Sequence, residues 1–156
     1  MAAIYVDADA CPVKEEVYKV ARRVGLQVHV VANAFIRTPA EAGIAFVLVD
    51  AGPDVADDWI AERAGAGDVV VTNDIPLAAR VLASGVEAIS PTAKVFSTDM
   101  IGAAVATRGL MEHLRSFGEA TGGPAPFSAK DRSAFLSALD AAVTRARKKA
   151  AASSGG

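Results

Sequence analysis

The apolar positions of this chain form short runs that end abruptly on polar residues, separated by stretches in which apolar residues recur at helical spacing. AIYV at residues 3–6 is unbroken and stops at Asp7, as a buried parallel strand does at its carboxyl end. Pro12 then stands where a first helical residue would. Glu15 and Glu16 fall in the first turn, where the helix dipole favours acids, and Val13, Val17, Val20 and Val24 recur at helical spacing up to Gly25. LQVHVVA at 26–32 and AFVLV at 45–49 predict a second and a third strand, ending at Asn33 and Asp50.

Gly52 and Pro53 break the chain, and Asp54 is placed to cap a helix DVADDWIAERA that finishes at Gly65. VVVT at 69–72 predicts a fourth strand. Asp74 caps a helix through Leu82 with Pro76 in its first turn, and VEAI at 86–89 predicts a fifth strand. From Thr98 the pattern turns helical again, with Met100, Ile101, Ala104, Val105, Leu110, Met111 and Leu114 on one stripe. The loop SFGEATGGPAPF leads to a final helix with a hydroxyl cap at Ser128. Strands alternating with helices predict one α/β domain over residues 1–150, with three layers, a mainly parallel five-stranded sheet and helices on both faces. Residues 151–156, AASSGG, are expected to be a disordered tail.

Composition narrows the class. The chain has 156 residues, 52% of them hydrophobic and 22% charged, which suits one compact core. The opening MAAIYVDADACP lacks the basic start of a secretory signal, and no apolar run approaches the roughly 20 residues of a membrane span, so a cytoplasmic protein with no membrane partner is expected. Cys11 is the only cysteine, which excludes an intramolecular disulfide and any multi-cysteine metal site. Residues 1–75 hold twelve acidic and six basic side chains, whereas residues 76–156 hold six acidic and ten basic. An acidic front and a basic back fit a metal site beside a phosphate-holding surface, and equally the solvated faces of ordinary helices.

The chemistry gathers at one sheet edge. In a doubly wound sheet, ligands bind outside the carboxyl ends of the strands. Asp7 and Asp9 follow the first strand, Asp50 and Asp54 the third, and Asp74 the fourth. Asp54, Asp57 and Asp58 are spaced i, i+3 and i+4, so they share a helix face. Clustered carboxylates repel one another unless a cation neutralises them, and oxygen ligands suit Mg²⁺ or Mn²⁺. Such an ion can activate water and clamp a phosphoryl oxygen. Asp50 and Asp68 read as caps or strand ends. Asn33 and Lys14 are placed to orient water or substrate, and Arg37 and Arg132 are candidates for phosphate contacts.

Asp7-Ala-Asp9-Ala-Cys11-Pro12 with Lys14, Gly52-x-Asp54-x-Ala56-Asp57, Gly67-Asp68-x-Val70-x-Thr72-x-Asp74-Ile75-Pro76-Leu77-Ala78, and Gly122-Gly123-Pro124 with Asp131-Arg132 together resemble the bacterial YaiI/YqxD family over about residues 3–140. That family is distantly similar to PIN-like nuclease domains, which hydrolyse RNA or DNA using acidic residues and Mg²⁺ or Mn²⁺. The resemblance implies a PIN-like domain and a metal-dependent nuclease acting on single-stranded RNA or DNA. Asp7, Asp9, Asp57 and Asp74 would be its metal ligands, and Thr72 or Asn33 would help to place the water. Asp54, Asp57 and Asp58 compete for the helical position; Asp57 is preferred because it belongs to the family motif and lies deeper in the helix. The fourth acid of such nucleases has no counterpart near the fifth strand, and Asp9 is the substitute.

Two other readings stand beside it. Asp7-x-Asp9 after an apolar strand also resembles haloacid-dehalogenase-type phosphatases, in which the first Asp attacks phosphorus. A nucleic-acid-binding module without catalysis would instead use Lys130, Arg132, Arg145, Arg147, Lys148 and Lys149 on the final helix. His29 and His113 read as packed or simply exposed, and Cys11, Trp59 and the phenylalanines as packing residues with no base-stacking pattern.

Overall fold

The valine-rich runs that bury both faces become the inner strands, and the amphipathic stretches between them become the covering helices. The computed structural model describes residues 2–8, 11–52, 54–99 and 128–155. Its elements are β1 (Ala3–Asp7), α1 (Lys14–Val24), β2 (Gln27–Ala32), β3 (Ile44–Leu48), α2 (Val55–Arg63), β4 (Val69–Val71), α3 (Ile75–Leu82), β5 (Glu87–Ile89), β6 (Val95–Phe96) and α4 (Ala129–Gly155). The helix expected from Thr98 and the loop after it lie, from Met100 to Phe127, outside the described residues.

The strand order is β3-β2-β1-β4-β5-β6, with β1 to β5 parallel and β6 antiparallel to β5. The mainly parallel α/β architecture is the expected one, but the sheet has six strands where five were predicted. The sixth is two residues long, too short for any periodicity to register. The strand order reverses beside β1, and there the β1 and β4 carboxyl ends lie side by side, the arrangement that opens a crevice in doubly wound sheets.

Alternation along the strands sorts the core into two layers. Ile4, Val6, Val28, Val30, Val69, Val71 and Ile89 face α1 and α4, whereas Tyr5, Val31, Val70 and Ala88 face α2 and α3. Helix α4 drives Phe135, Leu139, Ala142, Val143 and Ala146 into the first layer against Val13, Val17 and Val20. Full burial of a side chain such as Phe135 or Leu139 is worth roughly 1.5–3 kcal/mol.

Helix ends follow the sequence in part. Asp74 caps α3 by accepting from the Leu77 amide at 2.9 Å. Ser128 and Asp131 form a reciprocal capping box at the start of α4, with the Asp131 amide donating to Ser128 Oγ at 3.1 Å and the Ser128 amide to Asp131 Oδ2 at 3.0 Å. Asp54 occupies the N-cap position of α2 without a side-chain capping bond, and α1 begins at Lys14, two residues beyond Pro12. Helix α4 continues to Gly155, through residues expected to form a disordered tail. Among the described residues no helix is long and apolar enough to cross a membrane.

Two buried glutamates tie α4 along the sheet. Arg132 Nη1 donates to Glu16 Oε1 at 2.9 Å and to the Pro12 carbonyl at 3.1 Å. Nearer the other end, Glu87 on β5 accepts from Arg145 Nε at 2.8 Å and from Lys149 Nζ. Part of the basic surface anticipated on this helix is therefore spent on holding it down.

Candidate functional site

The parity that puts Tyr5 and Val70 on the α2/α3 side places Asp7 and Thr72, each two residues on, at the carboxyl edge of that same face. Thr72 is fully buried, and its hydroxyl donates to Asp7 Oδ2 at 2.8 Å. The same oxygen accepts from the Asp74 amide at 2.9 Å, so one hydroxyl ties the acid after β1 to the chain that starts α3. Asp74 is half-buried and keeps Oδ1 on the Leu77 amide.

Helix α2 brings in the third acid. Of its three candidates, Asp57 is the buried one, 9% exposed, and its carboxyl shares a hydrogen bond with Asp74. Asp58 is exposed and pairs with Arg80 of α3 at 2.7 Å, while Asp54 is exposed at the helix start. Burial pushes the Asp57 carboxyl up to about 7, with the negative charges of Asp74 and Asp7 and the bond to Asp74 adding to it. The proton it retains near neutrality relieves repulsion within the cluster.

Asp9 lies outside the described residues. Asn33 is exposed just past β2, and Arg37 is exposed in the 33–43 loop, whose Ile36 packs on the α1/α4 side, across the sheet from the acids. Lys14 donates its ammonium to the Cys11 carbonyl at 2.7 Å, and Arg132 is engaged with Glu16. The structure thus brings together Asp7, Asp57, Thr72 and Asp74, and spreads Asn33, Lys14, Arg37 and Arg132 around them or away from them.

Asp68 is structural: Oδ1 accepts from the Ala3 amide at 2.8 Å and Oδ2 from the Gly65 amide at 2.9 Å. His29 stacks on Tyr5 with ring centroids 5.0 Å apart, and Cys11 is buried, its thiol pushed up by burial. Phe35 departs from the expectation of core phenylalanines, being 80% exposed, its ring nearly perpendicular to that of Phe46 with centroids 5.6 Å apart.

The donor set fits a hard divalent cation in kind, since it consists of carboxylate oxygens and a hydroxyl without thiolate or imidazole. Among the described residues no group of three or more His, Cys, Asp or Glu side chains is arranged so that it could hold a metal ion. Two of the carboxylate oxygens are instead occupied by protein donors, Thr72 on Asp7 and the Leu77 amide on Asp74.

A family model described as the uncharacterised YaiI/YqxD family matches residues 5–145. The chain belongs to the YaiI/YqxD family. It is 61% identical over 150 residues to a UPF0178 protein of Caulobacter vibrioides strain NA1000 / CB15N, covering 96% of this chain and 98% of that one. A UPF0178 protein of Caulobacter sp. strain K31 is 60% identical over 148 residues, covering 95% and 98% of the two chains. One from Azorhizobium caulinodans is 60% identical over 145 residues, covering 93% and 91%. No solved structure matches. The span matched by the YaiI/YqxD family includes Asp7, Asp57, Thr72 and Asp74 and also the helix α4 up to Arg145, so site and scaffold belong to one family unit.

Proposed function

We propose that this protein is a divalent-metal-dependent phosphodiesterase of PIN-like type that cleaves single-stranded RNA or DNA. The observation that carries the reading is the gathering at the carboxyl sheet edge of Asp7 and Asp74, joined through the Thr72 hydroxyl, with buried Asp57 of α2 beside them. Neighbouring carboxylates repel one another, and a cation held among them would relieve that repulsion.

Asp7, Asp57 and Asp74 would hold Mg²⁺ or Mn²⁺, with Asp9 assisting. When bound, such an ion supplies a Lewis acid for a phosphoryl oxygen and makes a water nucleophilic near neutral pH. The chain's own part is positional. Thr72 fixes Asp7 from within the sheet, the α3 start fixes Asp74, and burial on α2 fixes Asp57. Asn33, exposed just past β2, would orient water. Neither His29, packed in its aromatic cluster, nor buried Cys11 is a base in this scheme.

The test is incubation of the protein and its Asp7→Asn and Asp74→Asn variants with labelled single strands and Mn²⁺. Slow cleavage that both substitutions abolish is expected. Cleavage undiminished in both variants would reveal a contaminant and end the assignment, and a trapped phosphoryl-Asp7 would transfer it to the phosphatase chemistry.

A further inference from the structure

The six strands can be followed across one level of the sheet. Pairing sets Asp7 beside Val31 and Val31 beside Val47 on one side. On the other side, the residue after the Val71–Ile89 pair sets Thr72 beside Ser90, and the β5–β6 register sets Ser90 opposite Lys94. Partners at one level project to the same face, here the α2/α3 face, to which Val31, Val47 and Phe96 also belong. The row therefore reads Val47, Val31, Asp7, Thr72, Ser90, Lys94. It is apolar on the β2/β3 side of the acids and polar on the β5/β6 side.

The polar half is rigidly built. Ser90 is 3% exposed, donates its amide to the Lys94 carbonyl at 2.8 Å, and accepts the Lys94 amide on its hydroxyl at 3.1 Å. Its carbonyl accepts from the Ala93 amide at 3.0 Å, closing a three-residue turn in which Ala93 sits at φ 71°. A left-handed residue at that position is what such hairpin turns require, usually supplied by glycine. The turn holds the start of β6 in a set orientation, with exposed Lys94 two strands, or about 10 Å, from Thr72.

We infer that Lys94 holds a backbone phosphate flanking the one attacked, so that a single strand crosses the sheet edge from the acids toward β6, outside the buried level of Thr72 and Ser90. This rests on the proposed phosphodiesterase reading. The charge is the right kind: an ammonium is a flexible point charge for phosphate, and several other cations near the site are already committed, Lys14 to a carbonyl, Arg80 to Asp58 and Arg132 to Glu16. Arg37, by contrast, follows Ile36, which packs on the opposite, α1/α4 side of the sheet.

The experiment measures anisotropy of a labelled single-stranded phosphorothioate oligonucleotide, which keeps its charges and resists cleavage, against full-length protein in Mg²⁺ over a range of salt. Lys94→Gln is expected to weaken binding roughly fivefold and to reduce the slope of log affinity against log salt by about 0.7, the value for one lost phosphate contact on a single strand. Lys94→Arg should restore both, and Lys19→Gln, on α1 across the sheet, should alter neither. A Lys94→Gln protein with unchanged melting temperature, affinity and slope overturns the inference, as does a wild type that does not bind. Hydrolysis with Lys94-independent binding would leave the enzyme standing and remove Lys94. Lys94-dependent binding without hydrolysis of a normal phosphodiester strand would overturn both, leaving Lys94 as a contact of a non-catalytic binding surface.

Discussion

The Thr72 hydroxyl donates to Asp7 while accepting the Asp74 amide, so a single buried oxygen couples the carboxyl ends of two strands. Thr72→Val keeps the shape and removes both bonds, leaving a part-buried amide and a carboxylate each one partner short. A loss of about 1–3 kcal/mol is expected in urea denaturation, together with weaker Mn²⁺ binding by calorimetry. Thr72→Ser should recover most of both. A Thr72→Val protein as stable as wild type would mean that water replaces the hydroxyl at no cost.

Asp57 gives the metal-free protein a particular pH dependence. Its carboxyl is raised from 3.8 to about 7 in the folded state, chiefly by burial and then by Asp74 and Asp7. The folded state thus binds more protons than the unfolded one between those values, and the associated stability is fully present below 3.8 and lost as pH rises through about 7. In EDTA, wild type should melt lower at pH 8 than at pH 5.5. Asp57→Asn should flatten that difference and gain about 1 kcal/mol at pH 8 after allowance for solvent screening, while losing metal affinity. Parallel melting profiles for the two proteins across this window would contradict the assignment.

Glu87 should act in the opposite direction. Burial alone would raise its carboxyl, but the bonds from Lys149 and Arg145 outweigh that and hold it below its ordinary value of 4.5. Its contribution is therefore present above 4.5 and lost as pH falls through the folded-state value. Glu87→Gln is expected to cost about 1–2 kcal/mol at pH 7, since its two cationic partners are half exposed and can turn to water. The gap between variant and wild type should narrow in acid. Chemical denaturation at pH 7 and pH 3.5 checks both statements.

Gly67 precedes β4 at φ 99°, and a Cβ added there would stand 2.9 Å from the Ala150 Cβ of α4. Gly67→Ala is expected to destabilise by about 1–3 kcal/mol, through backbone strain and displacement of the helix. Hydrogen exchange should quicken first around residue 150 of α4. Exchange accelerated uniformly over the chain would locate the damage elsewhere.

Much of this was legible in the sequence because short β-branched runs, turn glycines and helix caps act locally. VVVT before Asp74, and Pro76 after it, specify a strand, a cap and a helix start within a few residues, and the structure has all three. The convergence of Asp7 and Asp74 at one edge followed from parallel topology alone. Selecting Asp57 from its neighbours by depth in the helix also agrees with its burial. What the sequence could not reveal were long-range pairings. That Arg132, Arg145 and Lys149 meet Glu16 and Glu87 depends on how α4 lies across the sheet, over sequence separations of 58 to 116 residues. Strand β6 and its left-handed Ala93 were hidden because two residues carry no periodicity and alanine announces no turn.

Helix α4 shares one apolar cluster with β1, so residues near the beginning of the chain wait for residues near its end. During synthesis both described helices that cover the α2/α3 side, with Asp57 and Asp74, are made by residue 82. The opposite side keeps Ile4, Val6, Val69 and Val71 without Phe135, Leu139 and Ala146 until translation has nearly passed through α4. A stalled or truncated chain therefore exposes a sticky sheet face while carrying an almost complete acidic edge, and that face is where a chaperone or a protease would meet the unfinished protein.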